Sequence, residues 1–304
     1  MLGAADLSIV IPTRRRWDTL RLTLDALGAQ TVAGFEVIVV ADGTDQEVPA
    51  ELPGARVLQQ EHAGPGVARN RGVDASRRPL VMFIGDDMVP RPEFLAAHLS
   101  RHERAPADDV AVLGKIVWHP EVPRDRLHSW LDWSGALFDY RLIELQGAED
   151  AGWARFYSSN VSMKRSLFLA AGGFDPDFRF DYEDLDLGYR LGERGIRLLY
   201  EPGAVAEHLH PYDWEAVRSR YESRAGAERL MTAKHDWFKP WFRGQIEAAA
   251  AHPRESRLWA LAVDRVPSGA SSLRRTFERR ANRWYLQRLA PAFRAAWDRA
   301  GATD

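Results

Sequence analysis

Asp86 and Asp87 stand side by side at the end of the apolar run Val81-Met82-Phe83-Ile84, where Pro90 stops the pattern. Adjacent carboxylates repel and lose hydration when buried, so the pair asks for a cation or for hydrogen-bond donors, and a divalent metal is the expected partner. Glu183 and Asp184 lie in the acidic run Asp181-Tyr182-Glu183-Asp184-Leu185-Asp186, which opens a helical pattern. Acids at a helix start are favourable by about 0.3–1 kcal/mol each. That accounts for Asp186 better than for its crowded neighbours. His208 and His210 alternate in an extended segment and can face one side, so either or both can reach a metal held by carboxylates. Arg69 follows Gly64-Pro65-Gly66 near a helix start, where backbone N–H groups and a guanidinium together suit a phosphate; a solvated arginine is the other reading.

The elements that must position these groups follow from the apolar period. Leu7 to Ile11 is a β-branched run before Pro12 and Thr13; Leu20, Leu24 and Leu27 share one helical face with Asp18 as expected N-cap; Phe35 to Val40 is a second strand leading to Asp42. Strand, helix, strand makes a βαβ unit with a parallel sheet, and ligands of such sheets bind beyond the carboxyl ends of the strands. Thr13, Asp42 and Asp86 all fall there. Further along, Val57 to Gln59 and Val110 to Val117 read as strands, and Pro92 to Arg104 as a helix. The stretch from Glu121 to Gly152 reads as irregular, its aromatic residues packing under a long loop or lining an acceptor groove. Gly172-Gly173 reads as a helix cap and turn. Gly64 to Gly72 lacks the third glycine of a dinucleotide fingerprint, so a Rossmann dehydrogenase is rejected.

The chain has 304 residues, 45% of them hydrophobic, which is ample for a buried core. Its net charge of -2 conceals an imbalance: from Ala216 onward 18 Arg or Lys face 9 Asp or Glu, leaving +9 there and -11 before it. Nucleic acid is not an expected partner. There is no cysteine, which excludes thiolate metal sites and suits a reducing cytosol. Nothing near Met1 resembles a signal peptide and no window reaches the roughly 18 apolar residues of a membrane span, so a cytoplasmic location is expected. In the basic region Leu273, Phe277, Ala281, Tyr285, Leu289, Phe293 and Trp297 recur every fourth residue, with Pro291 expected to break the run. Trp237-Phe238-Lys239-Pro240-Trp241-Phe242-Arg243 interleaves aromatic and basic side chains. That suits peripheral contact with the inner face of a membrane, or a second copy of the chain.

Taken together, Ser8-Ile9-Val10-Ile11-Pro12-Thr13, Phe35 to Gly43, Ala68-Arg69-Asn70, Phe83-Ile84-Gly85-Asp86-Asp87, Gly172-Gly173-Phe174-Asp175 and Glu183-Asp184-Leu185-Asp186-Leu187 resemble the family 2 inverting glycosyltransferases, from about Leu7 to His210. The resemblance implies a GT-A fold: an α/β, Rossmann-like, mostly parallel central sheet with helices on both faces, here with a C-terminal helical extension. It places a catalytic domain over 1–215, its nucleotide-sugar half at 1–105 and its acceptor half at 106–215, with the extension over 216–304. It further implies Mg²⁺ or Mn²⁺, a nucleotide-sugar donor (a UDP-sugar before a GDP- or dTDP-sugar) and a hydroxyl acceptor on a glycan or lipid-linked molecule. Carried over residue by residue, Pro12, Thr13 and Arg14 would line the nucleotide pocket and Asp42 would bond the base. Asp86 would turn to the ribose, Asp87 and His208 would hold the metal, and Asp184 would be the catalytic base with Glu183 beside it. Three positions depart from the family pattern: Ala41 for a frequent Asp, Arg14 for a frequent aromatic, and Met88 for a frequent third acid.

Two other functions compete. A sugar-phosphate nucleotidyltransferase would want a glycine-rich phosphate loop after the first strand, whereas Thr13-Arg14-Arg15-Arg16 has no glycine. A non-catalytic protein would bind sugar or partner through the aromatic loop and basic tail.

Overall fold

The computed structural model describes residues 3–49, 51–266 and 271–301, and the chain forms two compact units. The first comprises Met1–Val122 and Leu142–His210, the second Pro123–Arg141 and Pro211–Asp304.

The first unit is built on a mixed sheet. Its strands are β1 (Leu7–Thr13), β2 (Glu36–Asp42), β3 (Arg56–Gln60), β4 (Leu80–Ile84), β5 (Met88–Pro90), β6 (Val110–Trp118), β7 (Asn160–Lys164) and β8 (Arg197–His208). Among the described residues the order is β3-β2-β1-β4-β7-β6-β8-β5. The half from β3 to β4 is parallel; β7 runs antiparallel to both its neighbours, β6 and β8 are parallel, and β5 is antiparallel to β8. Every residue of β1 and β4 is buried, as continuous apolar strands of a covered parallel sheet should be.

Helices α1 (Trp17–Gly28) and α2 (Pro65–Ala75) connect strands of this half, and α3 (Phe94–Arg104) leads from β5 to β6. Helix α1 starts two residues earlier than expected: Arg16, not Asp18, is its N-cap, and Asp18 sits exposed in the first turn. Helix α2 approaches β1 closely enough that a Cβ on Gly72 would stand 2.2 Å from Val10 Cγ1. Gly72→Ala is therefore expected to destabilise the chain by about 1–3 kcal/mol, the usual cost of overpacking, despite the better helix propensity of alanine. Urea unfolding reads this directly, and an unchanged midpoint would mean that α2 can shift without cost.

Helix α3 carries two histidines into the core. His98 contacts Ser162 Oγ and Asn160 Oδ1, each at 2.9 Å, and His102 Nε2 lies 2.9 Å from the same Ser162 Oγ. Burial keeps both rings neutral, pushing His98 down to about 3 and His102 to about 4. An unfolded histidine titrates near pH 6.5. Between those values the unfolded chain binds protons that the folded chain refuses, so stability is complete above about pH 6.5 and falls toward acid, by up to about 1.4 kcal/mol per pH unit for each ring. Urea unfolding at about pH 7.5 and pH 5 should differ accordingly; equal free energies at the two would contradict neutral burial.

The segment read as irregular contains two short helices, α4 (Arg126–Ser134) and α5 (Tyr140–Gln146). Asp125 caps α4 by accepting from the N–H groups of Leu127 and His128, at 2.9 and 3.0 Å, and Gly135 closes it in the left-handed region. Each helix is too short for an apolar period to stand out. The first unit is completed by α6 (Arg165–Ala170) and α7 (Glu183–Gly192).

The second unit joins α4 to α8 (Trp214–Lys234), α9 (Trp241–Ala250), α10 (Arg257–Ala262) and α11 (Ser271–Gly301). Trp130 is buried with its ring 4.4 Å from that of Tyr285 and its indole N–H donating to Asn282 Oδ1 at 2.9 Å. Helix α11 runs through Pro291 unbroken, contrary to the expectation from sequence. Leu286, Leu289, Ala290, Phe293 and Trp297 are all buried around it, and that burial offsets the roughly 3 kcal/mol of an interior proline. The end of the basic–aromatic stretch is stacked internally, Arg224 lying 4.0 Å over Phe242 and Arg243 4.4 Å over Trp297, and elsewhere in this unit Arg288 lies 4.7 Å over Trp214. Among the described residues no helix is long and apolar enough to cross a membrane.

Candidate active site

The carboxyl ends of β1 and β4 bring the first group together. Thr13, the last residue of β1, donates its hydroxyl to Asp86 Oδ2 at 2.7 Å, and Thr23 of α1 donates to the Asp86 carbonyl at 3.0 Å. The β5–β8 pairing sets Met88 opposite His208, and the Leu209 N–H donates to the Asp87 carbonyl at 2.8 Å. This register carries His208 Nε2 to 3.3 Å from Asp87 Oδ2, with His210 Nδ1 at 3.9 Å from the same oxygen. The His208 ring is held in a stack, 5.3 Å from Trp118 and 5.8 Å from His210, each inclined by 15°. Arg16 completes the group, one guanidinium nitrogen 3.2 Å from Asp86 Oδ1 and the other 2.7 Å from Asp87 Oδ2.

The two acids are electrostatically unequal. Burial, reinforced by the charge of Asp87, pushes Asp86 up to about 7 against the pull of Arg16 and Thr13. Burial also acts to raise Asp87, but the charges and hydrogen bonds of His208 and Arg16 outweigh it and hold that carboxyl well below the usual range. Asp87 is thus the standing anion of the pair. Among the described residues no cluster of three His, Asp or Glu side chains is arranged to hold a metal by itself. Asp87 and His208 nevertheless fit one: a carboxylate oxygen and an imidazole nitrogen 3.3 Å apart suit neighbouring ligands of a six-coordinate ion with bonds of about 2.1 Å, the remainder coming from substrate phosphates and water as is usual for such ions.

A second group forms around the start of α7. Asp181 and Tyr182 both lie in the left-handed region, at φ of 60° and 68°, a strained pair of the kind that clusters at functional sites. They turn the chain into α7 so that Glu183 and Asp184 open it. Asp184 Oδ2 accepts the Ser158 N–H at 3.0 Å, while its Oδ1 is buried without a hydrogen-bond partner. Continuing the β4–β7 register past Ile84 and Asn160 brings Ser158 to the same sheet edge as Asp86. Arg69, buried as the fifth residue of α2, lies 3.4 Å from Glu183 Oε1 and 5.4 Å from the centre of the Phe174 ring. Burial and the charge of Asp184 push Glu183 up to about 8 despite Arg69. Asp184 is also raised, by burial, with Arg69 and Ser158 opposing.

Asn70, next to Arg69, exchanges two hydrogen bonds of 2.8 Å with the Phe174 backbone, and Gly173 at φ 69° makes room for it. The Ala-Arg-Asn and Gly-Gly-Phe-Asp stretches are therefore one clamp. Asp186 turns away and pairs with Arg190 at 2.6 Å.

The third group is Asp42 at the end of β2. Its carboxylate accepts from Gln60 Nε2, Ala63 N–H and Gly64 N–H, each at 2.9 Å, and contacts His62 Nδ1 at 2.8 Å. Burial would raise it, but these donors together hold it below the usual carboxylate range. Asp42 thus fastens the loop that enters α2. Pro12 is buried in β1, paired against Val40, and Arg14 turns to Asp45 at 3.2 Å. Residue types along the chain point to the carboxylates and to His208, but not to Arg16, Thr23, Ser158 or Asn70. Of these, Asn70 alone sits in a motif that could have drawn attention to it.

The model of a family described as glycosyltransferase-like family 2 matches residues 4–224. Among curated proteins, the chain is 32% identical over 223 residues to a validoxylamine A glucosyltransferase of Streptomyces hygroscopicus subsp. jinggangensis, covering 62% of this chain and 52% of that one. It is 31% identical over 242 residues to a pre-mycofactocin glycosyltransferase of Mycobacterium tuberculosis, covering 76% of this chain and 48% of that one. The chain thus spans about half the length of these relatives. Among solved structures, TarS 1-349 of S. aureus in complex with UDP superposes with a TM-score of 0.53 at 13% identity, covering 98% of this chain and 92% of that one. A mannosyltransferase of Pyrobaculum calidifontis in complex with GDP-Man and Mn²⁺ gives 0.52 at 16% identity, covering 100% and 78%. At such identities the superpositions speak for the fold.

Proposed function

We propose, from the premise that this chain belongs to the glycosyltransferase-like family 2, that it moves a sugar from a nucleoside diphosphate sugar to an acceptor hydroxyl with inversion at the anomeric carbon. The observation that carries the reading is Asp184. One of its oxygens is fixed by the Ser158 N–H and the other is buried without a partner, at the edge where Asp86, Asp87 and His208 gather.

In this reading Asp184 Oδ1 takes the proton of the acceptor hydroxyl. The freed oxygen bonds to the anomeric carbon from the face opposite the diphosphate as the bond to the diphosphate oxygen breaks, and one displacement inverts the centre. Such a base is typically worth about 10²–10⁴-fold. Glu183, whose Oε1 faces Arg69, is the less available of the two acids and acts by keeping that guanidinium beside the base. Asp87 and His208 would hold Mg²⁺ or Mn²⁺, which when bound offsets the charge gathering on the leaving diphosphate. Asp86 faces the ribose, and Pro12, Thr13, Arg14 and Asp42 form the nucleotide wall, with UDP the first nucleotide to try. The acceptor is a hydroxyl on a glycan or a lipid-linked molecule. The exposed Trp237 and Trp241, about two-fifths and one-half accessible, flank Lys239 and support peripheral contact with an anionic membrane face.

A thermal-shift panel of UDP-, GDP- and dTDP-sugars with Mn²⁺ tests the donor class. A ligand at 100 times its Kd should stabilise the chain by about 2.7 kcal/mol. One nucleotide should stand out from the others; no shift with any of them would remove the donor from the proposal.

A further inference from the structure

The acid pair already has a cation from its own chain. Arg16 bridges Asp86 and Asp87 at 3.2 and 2.7 Å, and the Asp87 oxygen that it touches is the one facing His208 Nε2 at 3.3 Å. A guanidinium and a metal ion at this place would compete for a single oxygen. Arg16 also stands 3.4 Å from His210 Nδ1, so it faces both histidines and both acids.

The approach is built into the backbone. Arg15 sits at φ 55°, in the left-handed region. It is kept there by its N–H donating to Gln46 Oε1 at 2.6 Å and its guanidinium pairing with Asp45 at 2.5 Å. That reversal makes Arg16 the N-cap of α1 and aims its side chain at the acids. Asp86, Asp87 and His208 are 8% exposed or less, whereas the Arg16 side chain is 36% exposed. The cation therefore has solvent to move into and its partners do not.

We propose that Arg16 is a stand-in cation: it neutralises Asp86 and Asp87 before the donor arrives and passes to the diphosphate of the incoming nucleotide when a divalent metal takes Asp87. This rests on the metal-dependent reading above. A metal arriving alone must displace the guanidinium from the Asp87 oxygen that both would hold. A metal arriving with a diphosphate brings an anion for the displaced guanidinium, and a guanidinium fork matches phosphate oxygens well. Metal and nucleoside diphosphate therefore bind cooperatively, and by linkage each strengthens the other by the same factor.

The test is Mn²⁺ binding, read from the EPR signal of the free ion, with the full chain alone and with UDP, GDP and dTDP in turn. Arg16→Gln is expected to bind Mn²⁺ alone about tenfold or more tightly than the wild type and to lose most of the enhancement by nucleotide, within the usual range of coupling between sites. Arg16→Lys, which keeps the charge, should stay near the wild type. Melting curves guard against a folding defect: Arg16→Gln should melt earlier without metal and recover with Mn²⁺ alone, to which the wild type is indifferent. If the wild type with nucleotide binds Mn²⁺ but Arg16→Gln binds it no better alone, the stand-in role is overturned and the transferase reading stands. If the wild type binds nucleotide but never Mn²⁺, metal dependence falls and the stand-in role falls with it.

Discussion

Asp184→Asn is expected to slow transfer by about 10²–10⁴-fold, the typical worth of a positioned general base, while donor binding is unchanged. The substitution is nearly isosteric, and the amide oxygen can still accept the Ser158 N–H that fixes the carboxylate at 3.0 Å. What it removes is the capacity of the other oxygen, buried and unpartnered, to take a proton. A purely structural Asp184 would lose stability instead, and the rate would follow the folded fraction. A pH profile adds a second line. Burial holds the Asp184 carboxyl above the ordinary aspartate range, against Arg69 and Ser158, and the base works only when ionised. The wild-type kcat should therefore fall as the pH is lowered through a value above the ordinary aspartate pKa of about 3.9. That limb should vanish from the residual rate of Asp184→Asn. Equal activity in the variant, or the same limb in both, would sink the assignment.

Asp87→Ala should abolish Mn²⁺-supported nucleotide binding, by about 100-fold or more. Loss of a partner that merely orients a metal ligand typically costs 10–100-fold, and Asp87 is proposed as the ligand itself. Its side chain serves Arg16 at 2.7 Å and His208 at 3.3 Å. Its carbonyl separately accepts the Leu209 N–H, a bond that alanine keeps, so the β5–β8 register should survive. Excess Mn²⁺ should restore little, because both oxygens of Asp86 are already engaged, Oδ2 by the Thr13 hydroxyl at 2.7 Å and Oδ1 by Arg16 at 3.2 Å. Calorimetric titration of nucleotide with and without Mn²⁺ reads the effect. Binding equal to the wild type in Asp87→Ala would move the metal elsewhere.

The strand ends were readable because burial writes itself into composition: Val81 to Ile84 and Val37 to Val40 are apolar without interruption, and the first polar residue after each marks the sheet edge. The alternation of His208 and His210 likewise carried over into a stacked pair beside Asp87. What could not be read depends on backbone atoms and on distant segments. Nothing distinguishes Arg16 from Arg14 and Arg15 until the left-handed turn at Arg15 sends two of them to Asp45 and the third to the acids. Ser158 acts through its N–H, a group that every residue but proline has, so its type carries no signal. Asp42 has its carboxylate filled by four groups from the end of β3 and the loop after it, a saturation that a motif cannot reveal. The joining of Pro123–Arg141 to the helices after Pro211 also has no local signature, because it is decided by packing such as that of Trp130 on Tyr285.

Release of nucleoside diphosphate from a panel of UDP-, GDP- and dTDP-sugars, followed with Mn²⁺ and with a chelator, is the shortest route to a decision. One donor class should be turned over, slowly with water and faster with an acceptor hydroxyl, and the chelator and Asp184→Asn should each stop it. No release from any donor, or pyrophosphate release from a nucleoside triphosphate and a sugar phosphate, would contradict a nucleotide-sugar transferase at this site.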